Sequence, residues 1–135
     1  MKKYSIGVDY GTLSARAVLV DVENGEPFGV DSVFQYPHGV MKELGGQPLP
    51  PDYALQHPKD YIDAIEFVLR EVVAVNGVDP KSVVGIGVDF TACTVFPIDK
   101  KRQPICFDQK YAREPHAYSK LWKHHGAQKY LGKIK

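Results

Sequence analysis

The chain has 135 residues and a formal net charge of +1 at pH 7, with 44% hydrophobic and 24% charged residues. This length suffices for one domain with a buried core. The near-neutral charge argues against a nucleic-acid binder, which usually carries a basic excess. Because no apolar run approaches the roughly 20 residues that span a bilayer, and no signal-type segment opens the chain, we expect a cytoplasmic protein. The cysteines, Cys93 and Cys106, are then expected to be free thiols.

The first part of the chain predicts a three-stranded antiparallel meander. An apolar run ends at Asp9, and a second strand is expected over residues 15–21. The dipeptide Asn24-Gly25 favours a tight hairpin turn, because both residues tolerate positive φ. Alternating apolar and polar residues predict a third strand over residues 28–36. Residues 37–56 are rich in glycine and proline and predict a long loop, a kind of segment that is often functional.

A helix and a buried strand are expected next. Proline suits the first helical position, so the helix is expected to begin at Pro58 and to end at a left-handed cap formed by Asn76-Gly77. Glu66 falls on the polar face of this helix. Residues 83–88 are apolar on both faces, which predicts a central strand covered on both sides and ending at Asp89.

The remaining chain predicts a hairpin and a second helix. The hairpin strands are expected over residues 94–98 and 104–107, and the helix from about Glu114. An apolar stripe on that helix would include Trp122, with His125 inward and His124 outward. The complete order is a three-stranded antiparallel meander, helix, central parallel strand, hairpin and helix. This order describes a ribonuclease-H-like α/β half-domain, the unit of actin-like ATPases and sugar kinases.

Two carboxylates are expected at one edge of this sheet. Asp9 and Asp89 end strands that lie side by side in such a fold, and ligands in open α/β sheets favour these strand ends. Carboxylates there suit Mg²⁺, directly or through water. The turn after the first strand adds groups that suit a phosphate: Gly11, Thr12, Ser14 and Arg16. Each aspartate alone is compatible with a structural turn, and the pair in one fold favours a functional site.

Four segments resemble the FGGY carbohydrate kinases and occur in the order of that family. They are residues 6–16, 57–62, 84–94 and 121–125, and the likeness extends over about residues 4–127. Within the family, the likeness is to members that phosphorylate L-ribulose. The resemblance implies a sugar kinase of arabinose catabolism that uses ATP and Mg²⁺, and it leaves a homo-oligomer open.

The resemblance also assigns residues to two sites. The phosphate-binding residues would be Asp9, Tyr10, Gly11, Thr12, Ser14 and Arg16, with Asp9 holding Mg²⁺ through water. The sugar-binding residues would be Asp89, Thr91, Ala92, Cys93, Trp122 and Lys123, with the tryptophan stacked on the sugar. In glycerol-type members, arginine and glutamate stand where this chain has Ala92 and Cys93. The smaller residues leave room for a differently held sugar.

The chain lacks two parts that the family has. The family's catalytic aspartate and its adenine pocket have no counterpart in these 135 residues. We therefore expect residues 1–128 to be the N-terminal part of the kinase N-terminal domain and residues 129–135 to be a tail without a family match. The chain by itself is expected to be inactive.

Two other functions stay open on the same fold. Asp9 and Asp89, with Glu66 on the helix, would imitate the carboxylate cluster of a ribonuclease-H-like, metal-dependent nuclease. The weak basic balance and the outward position of Glu66 argue against this function. The other alternative is a non-catalytic actin-like domain that only binds a nucleotide or a partner.

Overall fold

The computed structural model describes residues 2–134, which form two compact units. The first unit comprises the residues up to Gly39 together with Lys59–Thr91, and the second comprises Val40–Pro58 and the residues from Ala92 onwards. In chain order the elements are β1 (Tyr4–Tyr10), β2 (Ser14–Asp21), β3 (Pro27–Gln35), β4 (Glu43–Leu44), β5 (Gln47–Pro48), β6 (Leu55–Gln56), α1 (Pro58–Val75), β7 (Val83–Phe90) and β8 (Ser119–Lys120). No helix within the described residues could span a membrane.

The first unit is built on a four-stranded sheet in the order β3-β2-β1-β7. β1, β2 and β3 form the predicted antiparallel meander, and β7 pairs with β1 in parallel. Gly25 has a φ of 74°, as the hairpin turn predicted at Asn24-Gly25 requires. The α/β class predicted from the sequence is therefore confirmed.

Helix α1 covers one face of this sheet. Val68 and Val72 are fully buried and pack with Ile6, Val8 and Leu19 of the strands. The helix begins at Pro58, as predicted. It ends where Gly77, with a φ of 61°, donates its N–H to the carbonyl of Ala74 at 3.1 Å. The apolar stripe of α1 thus decides which sheet face becomes the core and which stays open.

β7 is not the covered central strand that its sequence predicts. It is the edge of the sheet, and the apolar side chains of Val84, Ile86, Val88 and Phe90 are 57, 53, 51 and 69% exposed. The apolar pattern on both faces is typical of a strand with neighbours on every side. Within residues 2–134 a strand lies on one side only, so the prediction of coverage is wrong for this chain.

The second unit consists of short elements around a small core. The predicted loop over residues 37–56 contains the hairpin β4-β5 and the strand β6, which pairs with β8. Leu55, Cys106, Ala117 and Tyr118 form the buried cluster. Both cysteines are free thiols, as expected, with Cys93 exposed and Cys106 buried.

The predicted hairpin and last helix differ from the structure. The hairpin is reduced to one bridge between Ile98 and Pro104. The helix expected from Glu114 is wrong: a single 3-10 turn over Pro115–Ala117 leads into β8. The backbone of β8 pairs with β6 and with Val95, which excludes a helix there.

The two histidines of this segment are reversed relative to the prediction. His124 packs on the ring of Tyr53, with 4.7 Å between ring centroids, and His125 is exposed. Leu121 is buried, but Trp122 is 61% exposed. The helical spacing of apolar residues after Glu114 therefore does not reflect a helix. Strand pairing of β8 orients this segment instead.

Candidate active-site face of the sheet

The same tetrapeptide, Ile-Gly-Val-Asp, occurs in β1 at residues 6–9 and in β7 at residues 86–89. The parallel register pairs the two copies residue for residue, so Asp9 lies beside Asp89. Neighbouring strands are about 4.8 Å apart. Because Ile6 and Val8 face the core under α1, alternation directs both aspartates to the opposite, open face. The prediction that Asp9 and Asp89 end neighbouring strands at the same edge of the sheet is confirmed. One Asp89 carboxylate oxygen accepts the N–H of Phe90 at 2.8 Å.

Arg16 completes a row of charges across three strands. It is the antiparallel partner of Asp9 in β2, so the order across the sheet is Asp89, Asp9, Arg16. The guanidinium is 59% exposed and lies 4.0 Å from Asp31. An exposed pair at this distance contributes little. The guanidinium can therefore turn towards an anion placed over the two aspartates.

A trough of about 450 Å³ opens over this row. Its lining residues are Gly7, Val8, Asp9, Arg16, Val18, Gly87, Val88 and Asp89. A Cβ added to Gly7 or Gly87 would meet no atom within 4 Å, so these glycines keep the floor open. Glycines in strands often mark the close approach of a ligand or another backbone. Gly7 and Gly87 were missing from the predicted site, although the repeated tetrapeptide is a signal for them.

The turn between β1 and β2 is tight, and a side chain at position 11 would crowd the backbone. The N–H of Gly11 donates to the carbonyl of Ser14 at 2.9 Å, and a Cβ on Gly11 would lie 3.1 Å from that oxygen. Thr12 lies in the turn and Ser14 opens β2. The segment predicted as a phosphate hairpin is therefore a narrow turn closed by its own backbone hydrogen bond.

Tyr10 is oriented away from the trough. Its hydroxyl donates to the carbonyl of Tyr61 at 2.9 Å, and burial raises the pKa of this hydroxyl. Its own carbonyl accepts the N–H of Thr91 at 3.2 Å, which continues the β1-β7 pairing. Of the predicted phosphate-binding residues, Tyr10 therefore has its side chain in the core, and only its backbone belongs to the sheet edge.

The predicted sugar-binding residues are divided between the two units. Asp89 and Thr91 belong to the first unit, whereas Ala92, Cys93, Trp122 and Lys123 belong to the second. Within the second unit, the antiparallel bridge between Val95 and Lys120 brings the segment before Val95 alongside the segment after Lys120. Cys93 has a φ of 63°, an uncommon conformation for a residue other than glycine.

The row of charges fits Mg²⁺ held partly by water. Mg²⁺ usually keeps several waters and binds through one or two carboxylates together with substrate phosphates. Asp9 and Asp89 supply two carboxylates on neighbouring strands. Among residues 2–134, no group of three or more His, Cys, Asp or Glu could hold a metal ion by itself. The site therefore suits a metal that arrives with a phosphate.

Glu66 does not join the two aspartates. Its side chain is 65% exposed on α1 and pairs with Arg70 at 3.0 Å. Helix α1 covers the sheet face opposite the trough, since Ile6 and Val8 pack beneath it. The third carboxylate of a nuclease-type cluster is therefore on the wrong side of the sheet.

Solved structures with a similar fold are sugar kinases. The crystal structure of gluconate kinase from Lactobacillus acidophilus matches 98% of this chain and 22% of that one, with a TM-score of 0.74 and 19% identity. The ligand-bound xylulose kinase from the same organism matches 97% of this chain and 22% of that one, with a TM-score of 0.73 and 19% identity. At these identities the likeness concerns the fold, which is the sugar-kinase, actin-like fold.

Curated relatives point to one kind of sugar kinase. The chain is 50% identical over 131 residues to a ribulokinase of Shouchella clausii, which covers 95% of the chain and 23% of the relative. It is also 50% identical over 136 residues to the ribulokinase of Mycolicibacterium smegmatis, covering 98% of the chain and 24% of the relative. The chain is thus homologous to ribulokinases and spans about a quarter of their length. No family model matches it.

Proposed function

We propose that the chain is the N-terminal part of an ATP-dependent L-ribulose kinase of arabinose catabolism, active in the cytoplasm. The observation that carries this proposal is the row of Asp89, Asp9 and Arg16 over a glycine floor. Two carboxylates and a guanidinium beside a tight glycine turn suit a metal-bound polyphosphate. The ribulokinase homologues, at about half identity, support the choice of sugar.

Positioning and charge stabilisation account for most of the catalysis in phosphoryl transfer. Bound Mg²⁺ would neutralise charge on the phosphates. Asp9 and Asp89 would orient its water ligands, and Arg16 would contact a phosphate oxygen from the neighbouring strand. The turn at Gly11, with the hydroxyls of Thr12 and Ser14, would bring backbone N–H groups close to the terminal phosphate.

The sugar would be bound by residues that follow β7 and β8. In this proposal Asp89 also contributes to the sugar site, and Thr91, Ala92 and Cys93 line the sugar loop. The exposed indole of Trp122 stacks on the carbon face of L-ribulose, and Lys123 lies beside it. The short side chains of Ala92 and Cys93 favour a ketopentose over glycerol. The catalytic base and the adenine pocket would lie outside these 135 residues, so the chain alone should not turn over L-ribulose and ATP.

The binding half of this proposal can be tested with the chain itself. Isothermal titration with tripolyphosphate and Mg²⁺ should give saturable binding that requires the metal. Asp9→Asn or Asp89→Asn should weaken it at least tenfold, whereas Glu66→Gln, an exposed carboxylate on the opposite side, should leave it unchanged. Binding that is insensitive to both aspartate variants would refute the proposed site.

The same variants separate the kinase proposal from a nuclease. A Mg²⁺-dependent nuclease built on Asp9, Asp89 and Glu66 would lose cleavage of an RNA–DNA hybrid in all three variants. We expect no cleavage by the parent chain. Cleavage that is lost in Asp89→Asn would overturn the kinase proposal.

A further inference from the structure

A buried carboxylate lies at the start of helix α1 and is held by one histidine. Asp60 belongs to the first turn of α1 and is 1% exposed. One of its carboxylate oxygens accepts the backbone N–H of His38 at 3.1 Å, and the other lies 2.6 Å from Nδ1 of the same histidine. Because a carboxylate only accepts hydrogen bonds, Nδ1 carries the hydrogen in this contact. Both oxygens of Asp60 therefore bind His38.

Burial makes Asp60 depend on this histidine. A buried carboxylate is costly unless it is paired and hydrogen-bonded, and the first turn of a helix supplies only part of the compensation. His38 lies just beyond the end of β3, and its side chain is 45% exposed, so packing alone does not fix it. The contact therefore fastens the chain that follows β3 to the start of α1.

Tyr36 connects this pair with the turn between β1 and β2. Its carbonyl accepts the N–H of Gly39 at 3.1 Å, which closes a tight turn that contains His38. Its own N–H donates to the carbonyl of Leu13 at 2.9 Å. Leu13 belongs to the same turn as Gly11. Hydrogen bonds and one short stretch of backbone therefore connect the start of α1 with the turn between β1 and β2.

The Tyr36 side chain is fixed by packing and not by its hydroxyl. The residue is 5% exposed and packs with the buried Ala15 and Ala64. Its ring meets the ring of Tyr61 edge-on, with 5.8 Å between the centroids. Within residues 2–134 the buried hydroxyl has no hydrogen-bond partner. Because Ala15 lies at the start of β2, the ring supports the turn from the side of the sheet that α1 covers.

We propose that His38 and Asp60 are positioning residues for the turn between β1 and β2, and that they act on it through Tyr36. Neither residue of the pair lines the trough. They hold the backbone of Tyr36, whose N–H holds Leu13, so that the turn presents one geometry to a phosphate. A turn that is fixed beforehand loses less conformational entropy on binding and therefore binds more tightly. The inference rests on the proposed function for its ligand, whereas the contacts that carry it all lie within the first unit.

Amide hydrogen exchange tests the connection without any ligand. His38→Ala should speed exchange of the Tyr36 and Gly11 N–H groups at least tenfold relative to the amides at the centre of β1, because the turn opens locally. Asp60→Asn, which turns one acceptor into a donor, should have the same effect. His38→Asn can still donate from the place of Nδ1 and should stay close to the parent. Tyr36→Phe should also leave exchange unchanged. Equal exchange in the parent and in His38→Ala would overturn the proposal.

Isothermal titration with Mg²⁺ and tripolyphosphate tests the positioning itself. His38→Ala and Asp60→Asn should weaken binding at least fivefold, and His38→Asn should bind nearly as tightly as the parent. Val72→Ala is the control for a general loss of stability, because Val72 packs in the core of the same helix and takes no part in these contacts. It should lower the melting temperature and leave both the affinity and the relative exchange rates unchanged.

The two measurements separate this inference from the proposed function. If exchange changes as expected but His38→Ala binds as tightly as the parent, the pair is purely structural and the inference is wrong. If the parent itself does not bind Mg²⁺ and tripolyphosphate, the proposed function fails, and exchange of the Gly11 and Tyr36 amides alone decides whether the pair positions the turn.

Discussion

A larger side chain at Gly7, which lines the trough, should affect ligand binding and folding stability differently. Gly7 lies in β1 between Gly87 and Val18 of the neighbouring strands, and a Cβ there would meet nothing within 4 Å. We therefore expect Gly7→Val to fold normally. Its side chain would occupy the trough in which the proposed phosphate lies beside Asp9.

Gly7→Val should increase the stability of the fold and weaken ligand binding. Glycine inside a strand costs roughly 0.5–1 kcal/mol relative to alanine, and valine favours strands further, so Gly7→Val should raise the free energy of unfolding by about 1 kcal/mol. Loss of one hydrogen bond between a phosphate and a charged group costs about 1.5–3 kcal/mol. Binding of Mg²⁺ and tripolyphosphate should therefore weaken by roughly ten- to a hundredfold.

Urea denaturation and isothermal titration of the same preparation would measure both quantities. Gly85→Val is the matched control, because it fills equally open space on the same face but does not line the trough. It should gain similar stability and keep binding. If Gly7→Val binds Mg²⁺ and tripolyphosphate as tightly as the parent, or if Gly85→Val loses as much, the trough is not the binding site.

Three further predictions concern stability. Gly29→Ala should lower the free energy of unfolding, measured by urea denaturation, by about 2–4 kcal/mol, because it strains a backbone with a φ of 75° and displaces the hydrogen bonds of Asn76. In an Asn76→Ala background the loss should be clearly smaller. Equal losses in the two backgrounds would contradict the contact between Gly29 and Asn76. Arg102→Gly should raise the free energy of unfolding by about 1 kcal/mol, because Arg102 has a φ of 62°, which glycine adopts without strain. A lower free energy of unfolding in this variant would refute the argument. Burial lowers the pKa of His124, whose Nδ1 accepts the Ala54 N–H at 3.1 Å. The contribution of His124 to the free energy of unfolding is therefore complete above the pKa of the unfolded state and is lost as the pH falls. His124→Gln should flatten the pH dependence of the melting temperature between pH 7 and 5.

Elements with a strong local signal could be predicted from the sequence. The Asn24-Gly25 turn, the proline at the start of α1 and the glycine at its end each act through their own backbone preferences. They gave the meander, the helix and therefore the neighbouring positions of Asp9 and Asp89. The register that aligns the two aspartates is seen only in the structure.

The segment after β7 could not be predicted in the same way. Residues around Tyr118 and Trp122 have helical spacing, but the backbone of β8 pairs with β6, which is more than sixty residues earlier in the chain. Such pairing depends on distant partners and leaves little local trace. Likewise, the orientation of Tyr10 towards Tyr61 is a tertiary contact.

The sequence by itself determined the order of the main elements, the α/β class and the two carboxylates at the ends of neighbouring strands. Local propensity and apolar periodicity are sufficient for the order of the elements, because they act over a few residues, whereas the neighbouring positions of Asp9 and Asp89 also depended on the fold that this order indicates. Only the tertiary structure decided that Gly7 and Gly87 form an open floor beneath the charges, that Glu66 lies on the other side, and that β7 is an exposed edge. These features depend on which strands are neighbours, and the composition of a single strand does not contain that information.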